Sequence, residues 1–195
     1  MALNLGTNER AQRKLLATVV EWGEETQNRE LLGRRTEDSS IEFNPDEETT
    51  TDVLGITYSD INKTEPTQSF DPYYVMGGSK LAEYLSKAAL RNDINAYNQK
   101  FTVYLIAGFI GDEGKYYTVK HTGCTIMPQS IGGDSYVSMP IEVRLSNNIT
   151  EGTVDKLAED FVFTASTDSG TSAASLDEPN TVSTYSSRKS SLKDY

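Results

Sequence analysis

The sequence predicts an all-β fold with one flanking α-helix, arranged as a two-sheet β-sandwich or open barrel. Three observations support this prediction. The second half of the chain reads as three strands joined by short turns, the part before Asn44 contains two strand-like runs, and only one segment has the periodicity of a helix. With 195 residues, of which 36% are hydrophobic, the chain is long enough for one domain with appendages.

Two strands are predicted after a polar N-terminal arm of residues 1–12. The first, Leu15–Trp22, is rich in residues that favour strands and ends at Gly23. The preceding NERAQRKLL also fits the start of a helix, but the β-branched residues that follow favour a strand. The second strand, Ser39–Phe43, is closed by the Asn-Pro pair that follows it.

Residues 44–72 are predicted to form a long loop between the early strands. The segment contains three prolines and shows only weak periodicity, and eight carboxylates but no basic residue lie between Arg35 and Lys63. Loops of this length inside a compact domain are usually functional or disordered. Four scattered apolar side chains need cover that a solvated loop lacks, so we expect them to contact a neighbouring subunit. These are Val53, Leu54, Ile56 and Tyr58.

The predicted helix covers residues 79–92. Ser79 is placed to cap its N-terminus, and Asn92-Asp93 ends it. The apolar side chains share one face of this helix at i, i+3, i+4 and i+7. They are Leu81, Tyr84, Leu85 and Ala88.

Three strands follow the helix as a meander. Both faces of Phe101–Ile110 are largely apolar, which predicts cover on both sides, and the GDEG turn leads into Lys115–Pro128. In the third segment, every second residue from Val137 to Leu145 is apolar. Pro140 interrupts this segment and cannot donate to a sheet ladder, so we expect the strand to lie at an edge or bulge. An exposed edge invites pairing with another chain unless it is covered.

No catalytic, metal or cofactor site is predicted. The chain has one cysteine, which excludes an intrachain disulfide and a Cys-rich metal site. The only histidine, His121, lies three residues before Cys124 in a predicted strand, which would point the two side chains to opposite faces. The acidic run from Asp46 to Asp52 lacks the spacing and central glycine of an EF-hand loop. We therefore expect that the protein is not an enzyme.

The net charge of the chain limits the kinds of partner that it can bind. A formal net charge of −11 and a pI near 4.6 argue against tight binding to nucleic acid or to an anionic membrane. No apolar stretch approaches the length of a membrane helix, and the first residues contain no apolar run of a secretory signal. We expect synthesis in a cytoplasm.

The order of these segments resembles that of a phage major tail protein, the tail tube subunit of siphophages infecting Gram-positive hosts, which is related to the tube proteins of contractile tails. Five stretches within roughly residues 13–155 carry the resemblance. They are LLATVVEWG, EDSSIEFNPDEETTTDVLGITYSDI, QSFDPYYVMGGSKLAEYL, FTVYLIAGFI, and GGDSYVSMPIEV with the later NITEGTV.

The resemblance implies that residues 13–165 form a tail-tube β-sandwich, outside which a Ser/Thr-rich tail of residues 166–195 remains. It further implies hexameric rings that stack into a tube, located in the virion tail after assembly in the host cytoplasm. The implied partners are other copies of the chain and the tape measure, tail terminator and distal tail proteins. DNA would pass through the lumen without specific binding, and Glu142 on the polar face of the third meander strand is the candidate lumen residue.

Two alternatives remain open from the sequence. The first is the inner tube of a contractile tail or of a tail-like bacteriocin, which shares the fold. The second, from another class, is a monomeric β-sandwich binding module directed at carbohydrate. That function needs an exposed aromatic platform, whereas the only tryptophan, Trp22, lies inside a predicted strand.

Overall fold

A computed structural model describes residues 2–23, 27–36, 39–112 and 114–166 of the chain. Within these ranges it contains twelve β-strands and one α-helix. The strands are β1 Ala2–Leu3, β2 Leu16–Trp22, β3 Asn28–Leu31, β4 Ile41–Glu42, β5 Pro45–Thr51, β6 Thr57–Thr64, β7 Thr67–Phe70, β8 Phe101–Asp112, β9 Lys115–Pro128, β10 Ile141–Arg144, β11 Ile149–Val154 and β12 Phe163–Ala165, and the helix is α1 Lys80–Arg91. The all-β fold with one helix is confirmed.

Ten of these strands form one antiparallel sheet in the order β3-β2-β8-β9-β10-β7-β4, with β11 and β12 continuing from β9 and β1 pairing with the end of β8. The long strand β9 changes partners along its length. Its first part pairs with β8 and β11, and its last four residues pair with β10. A one-residue bulge at Gly123, whose φ is +81°, marks the change. The two layers of the sandwich are thus two parts of one sheet.

The layers enclose the main core. Its buried residues come from both layers and from α1. They include Val20, Trp22, Phe70, Leu81, Leu85, Phe101, Val103, Ile126, Ile141 and Val143. A buried polar bridge also joins the layers, because Thr18 of β2 donates to Gln68 of β7 at 2.9 Å and Gln68 donates to Ser39 at 3.0 Å. Since both hydrogen-bonding groups of the Gln68 amide are used, this buried side chain carries little desolvation cost.

The helix closes one side of this core and confirms the prediction made from its periodicity. Ser79 caps its N-terminus by accepting from the amide of Ala82 at 3.0 Å. The carboxylate of Glu30 accepts from Ser79 at 2.7 Å and from the amide of Leu81 at 3.2 Å, which ties the helix to β3. Asn92 ends the helix in the left-handed conformation with φ of 51°.

A second core covers the opposite face of β8, as predicted from its two apolar faces. Tyr104 and Ile106 lie under the segment that joins β11 to β12, and the ring of Phe161 meets that of Tyr104 edge-on at 4.8 Å. The guanidinium of Arg29 lies 4.5 Å from the Phe161 ring centroid and pairs with Glu21 at 2.6 Å. The Arg29 guanidinium therefore packs over the edge of this second core.

The segment of residues 44–72 is not the irregular loop that was predicted. Most of it forms an antiparallel hairpin, β5–β6, which is a separate two-stranded sheet. β7 then joins the main sheet. The sequence of the hairpin shows no alternation of apolar and polar residues, because neither face of the hairpin is buried.

The prediction for the strand around Pro140 is also wrong in part. Only Ile141–Arg144 pair as a strand, and this strand lies between β9 and β7 rather than at an edge. Pro140 immediately precedes the ladder, where its missing N–H removes no ladder bond. Met139, Ile141 and Val143 are buried as predicted, whereas Val137 is half exposed.

Both ends of the predicted domain differ in detail from expectation. The N-terminal arm is attached to the body, because Ala2 and Leu3 pair with Gly111 and Ile110. β3 was not predicted from the sequence. The Ser/Thr-rich tail after Ser166 lies outside the described residues.

Candidate assembly surfaces

The most prominent surface feature is a hairpin arm, defined as β5, β6 and their turn, Pro45–Thr64. It continues the β4–β7 strand pair beyond the main sheet, and from Pro45 to Lys63 every residue except Asp52 is exposed. Asn44 fixes its base by donating to the carbonyl of Glu65 at 3.0 Å and to the Thr67 hydroxyl at 3.1 Å. At about 3.3 Å per residue, the seven-residue β5 extends the arm by roughly 20 Å.

The tip of the arm, residues 52–58, is held in shape by one carboxylate. Asp52 Oδ1 accepts from the amides of Leu54 at 2.8 Å and Ile56 at 2.9 Å, and Oδ2 accepts from the Tyr58 hydroxyl at 3.3 Å. Gly55 adopts a φ of +78°, which favours glycine. All of these contacts are within the arm, so its tip has a defined shape without help from the body.

We expect Asp52→Ala to loosen the tip without destabilising the domain. The amides of Leu54 and Ile56 lose their acceptor, and their hydrogen exchange should accelerate by about fivefold, equivalent to roughly 1 kcal/mol for a net hydrogen bond. Asp52→Asn keeps an acceptor oxygen and is the matched control. Unchanged exchange at both amides in Asp52→Ala would contradict the assigned role of this carboxylate.

The four side chains predicted to need cover are all solvent-exposed at or beside this tip. Val53 is 102% exposed and Leu54 80%, while Ile56 and Tyr58 are each 50% exposed. Sequence reasoning missed Phe43 and Ile61, which are also exposed apolar residues at the base and on the shaft of the arm. A concentration of uncovered apolar side chains on one projection is typical of an interaction site.

The shaft of the arm is acidic. The stretch from Asn44 to Pro66 carries six carboxylates and one lysine, Lys63, which pairs with Glu65 at 2.7 Å. Glu48 and Asp60 lie directly opposite each other on the two strands. Because like charges repel, two arms would not pack shaft against shaft, and a less acidic surface is the better partner.

Glu142 lies on a second surface, the polar face, which is the outward side of β4, β7, β10 and the end of β9. Its carboxylate pairs with Arg144 of the same strand at 2.6 Å. Its neighbours across the strands on this face are Ser69 and Met127. The cross-strand neighbours of Arg144 on this face are Thr67 and Thr125. Glu42 of β4 lies opposite Thr67. The face therefore combines three small polar side chains and Met127 with two carboxylates and one guanidinium, which leaves a slight excess of negative charge.

The histidine–cysteine pair does not lie as predicted from strand periodicity. The bulge at Gly123 shifts the register, so that His121 faces Val103 and Cys124 faces Phe101, two residues of β8 that share one side of the sheet. The two side chains are on the same side, and the expectation of opposite faces is wrong. Burial raises the pKa of the Cys124 thiol, which disfavours the thiolate that a nucleophile requires.

His121 has a structural contact instead. Its Nδ1 lies 2.7 Å from the carbonyl of Ser146 and must donate, because a carbonyl oxygen only accepts. Burial lowers the pKa of the imidazole below its ordinary value, with the Ser146 hydrogen bond opposing this effect. The unfolded chain therefore binds this proton more readily than the folded one.

We expect the free energy of unfolding to fall as the pH drops below about 6.5, the unfolded-state pKa of histidine. Above that value the contribution is fully present, since His121 is neutral in both states. His121→Asn retains a donor towards Ser146 but does not titrate, so its urea unfolding should depend less on pH between about 5.5 and 7.5. Equal pH slopes for the two proteins would contradict this assignment.

The residues that the structure describes contain neither a metal-binding cluster nor a membrane-spanning helix. In that part of the chain, no three His, Cys, Asp or Glu side chains are grouped so that they could hold a metal ion. The helices found there are too short or too polar to span a membrane.

Comparisons with known proteins gave matches among solved structures. No family model matches the sequence, and no curated protein matches it. A chain of the anti-feeding prophage cap, a tube terminating cap, is 13% identical with a TM-score of 0.42, over 77% of this chain and 95% of that one. A chain of the anti-feeding prophage baseplate is 14% identical with a TM-score of 0.41, over 75% and 97%. A chain of the sheath/tube terminator of an extracellular contractile injection system is 12% identical with a TM-score of 0.38, over 69% and 91%.

Proposed function

We propose that the chain is a structural protein that assembles with copies of itself into stacked hexameric rings, forming a tail tube of the phage type. The observation that carries the proposal is the hairpin arm. Its tip is ordered by its own hydrogen bonds, yet its apolar side chains have no cover within the subunit. The resemblance of the sequence to tail tube proteins adds the ring and tube geometry.

Burial of the tip supplies a driving force for assembly. Fully covering one Leu, Val or Ile side chain stabilises a complex by roughly 1.5–3 kcal/mol before the entropy lost on association is counted. A single tip would thus give a weak contact. In a closed, stacked assembly each subunit both gives and receives such a contact, so many weak contacts act together.

The polar face fits the lining of a conduit for a genome. Its side chains offer no array of cations, and Arg144 is engaged with Glu142. DNA carries one charge per about 1.7 Å of its axis, so a basic lining would hold it by counterion release. A lining of Ser, Thr and Met side chains with a slight excess of carboxylates lets the DNA slide, which is the role proposed for Glu142 and its neighbours.

The proposal includes a location and partners. The chain would be part of a virion tail, built in the host cytoplasm and joined to tape measure, terminator and distal tail proteins, in a siphophage of a Gram-positive host. The same arguments about arm and lining apply to the inner tube of a contractile tail. Co-purification with a sheath protein would identify the contractile form.

Sedimentation velocity over a wide range of protein concentration tests the proposal. We expect the sedimentation coefficient to rise with concentration from that of a single subunit to that of rings or longer polymers. A single-subunit species at every concentration would argue for the monomeric binding module instead. Such a module needs an exposed aromatic platform, to which the buried Trp22 does not contribute.

A further inference from the structure

We propose that residues 155–162, the segment between β11 and β12, form a strap that closes the β3 edge of the sheet and keeps this edge from pairing with another chain. Among the described residues, β3 is an end of the strand order and has a ladder partner on one side only, β2. An uncovered edge strand presents its amides and carbonyls to any extended chain. Neither the arm nor the polar face contains β3, so this inference is independent of the proposed function.

The backbone of β3 directs the amide of Leu31 away from β2. The next residue, Leu32, donates its amide to the carbonyl of Thr18 at 2.9 Å. Along an antiparallel strand, residues that are hydrogen-bonded to the neighbouring strand alternate with residues that are not. Leu31, opposite Val19, belongs to the second kind, so its N–H points outward from the sheet edge. This amide is the donor that an added strand would use.

The strap supplies that donor with an acceptor from a side chain. Oε1 of Glu159 accepts from the amide of Leu31 at 3.2 Å and from Nη2 of Arg34 at 3.0 Å. The Arg29 side chain, also on β3, donates from Nη1 to the carbonyl of Phe161 at 2.9 Å. Each of these hydrogen bonds involves a side chain, so the strap is attached beside β3 without becoming a ladder strand there.

The sheet has a fitted place for the strap. Leu157 lies over Gly108 of β8, where a Cβ atom at position 108 would come within 2.8 Å of the leucine Cδ1. Phe161 is 3% exposed and belongs to the second core. Because these two apolar anchors flank Glu159 in the sequence, they hold its carboxylate at the β3 edge.

Charged side chains on the strap make it a poor partner for a further strand. The Glu159 side chain is 38% exposed, so its carboxylate binds the Leu31 amide while it remains in contact with water. Lys156 and Asp160 are more exposed and pair with each other at 2.6 Å. Charged groups at an edge are a common protection against edge-to-edge pairing of sheets. A chain that approaches β3 therefore meets charged side chains in place of the Leu31 amide.

Hydrogen exchange at the Leu31 amide and trypsin cleavage after Lys156 test whether Glu159 holds the strap closed. Glu159→Ala removes both the acceptor and the ion pair, Glu159→Gln retains an acceptor oxygen, and Arg34→Ala removes the ion pair alone. In dilute protein, both rates should rise by at least about fivefold in Glu159→Ala, since exchange and cleavage follow the population of the open form. They should change little in the two control variants. Cleavage after Lys120, within β9, needs the sheet to open and should stay at the wild-type rate.

Thioflavin T fluorescence over a range of protein concentration tests the guarding role. In concentrated Glu159→Ala we expect irregular association with a signal at least about tenfold above that of the wild-type chain. The Leu31 amide should then regain protection, because edge pairing gives it a new acceptor. Gly108→Ala crowds Leu157 while Glu159 stays in place, and it should give the same response by a second route.

Two results would overturn the proposal. Wild-type exchange at Leu31 in Glu159→Ala would show that the carboxylate does not close the edge. Faster exchange in Glu159→Ala and Gly108→Ala, without thioflavin T-positive association at any concentration, would show that the strap guards against nothing. Neither result depends on whether the wild-type chain forms rings.

Discussion

Removing the hairpin arm is expected to abolish assembly while the subunit stays folded. Pro45 and Thr64 pair directly across the base, so Asp46–Lys63 can be replaced by an Asn-Gly turn that closes the shortened hairpin. The removed residues lie outside both cores and, apart from Asp52, are exposed. We therefore expect an unfolding midpoint close to that of the full chain, and sedimentation as a single subunit at all concentrations.

A milder variant tests whether the apolar tip itself is responsible. Val53→Ser with Leu54→Ser keeps the arm and its acidic shaft but removes the most exposed apolar surface. Ile149→Ser with Val162→Ser makes the same kind of change at two other exposed apolar positions, which are 52% and 66% exposed. Assembly should be weakened only in the first double variant. Normal polymers from the shortened arm or from the serine tip would refute an assembly role for the arm.

Phe101→Ala is expected to have the largest effect on stability. The ring is 1% exposed at the start of β8, where it meets Tyr84 of the helix edge-on at 6.1 Å. It lies opposite Cys124, beside the bulge that divides the two layers. Deleting a buried aromatic ring costs about 3–5 kcal/mol, a large part of the 5–15 kcal/mol typical of a domain.

Phe43→Ala is the matched control for that substitution. Phe43 is 64% exposed, so the same chemical change should alter the free energy of unfolding by no more than about 0.5 kcal/mol. Urea denaturation of both variants gives the comparison. Equal destabilisation by the two substitutions would show that the core is not organised around Phe101 as described.

The parts of the fold that were predictable are those with a buried face. β2, β8 and α1 bury long apolar stretches, so their periodicity was visible and their bounds were close to the observed ones. β5 and β6 bury nothing, and their Thr- and Glu-rich sequence therefore resembles a loop. β3 has four half-buried residues and a single leucine, which is too little pattern to detect.

Around Pro140 the predicted alternation of apolar residues is correct, but the predicted start of the strand is wrong. The alternation from Val137 to Leu145 is real, but the chain before Pro140 leaves the ladder, and Tyr136 and Val137 are exposed there. The prediction placed the proline inside the strand and therefore placed the strand at an edge. The bulge at Gly123 made the prediction for His121 and Cys124 wrong. One extra residue between them puts both side chains on the same face of the sheet instead of on opposite faces.

The candidate surfaces were predictable only where residues adjacent in sequence form them. The four apolar residues of the tip lie within six positions of each other, and their need for cover could be inferred from the sequence. By contrast, a surface groove is lined by residues from separate segments, around Arg35, Tyr74 and Tyr136, which only the folded chain brings together. Sequence periodicity contains no information about such a junction.

Negative-stain electron microscopy of the purified 195-residue chain, at concentrations where sedimentation detects large species, tests directly whether the chain forms a tube. We expect hollow rings with six-fold rotational symmetry or tubes built from them, with density joining successive rings where the arms lie. Isolated subunits alone, or irregular aggregates that persist when the arm is removed, would contradict it.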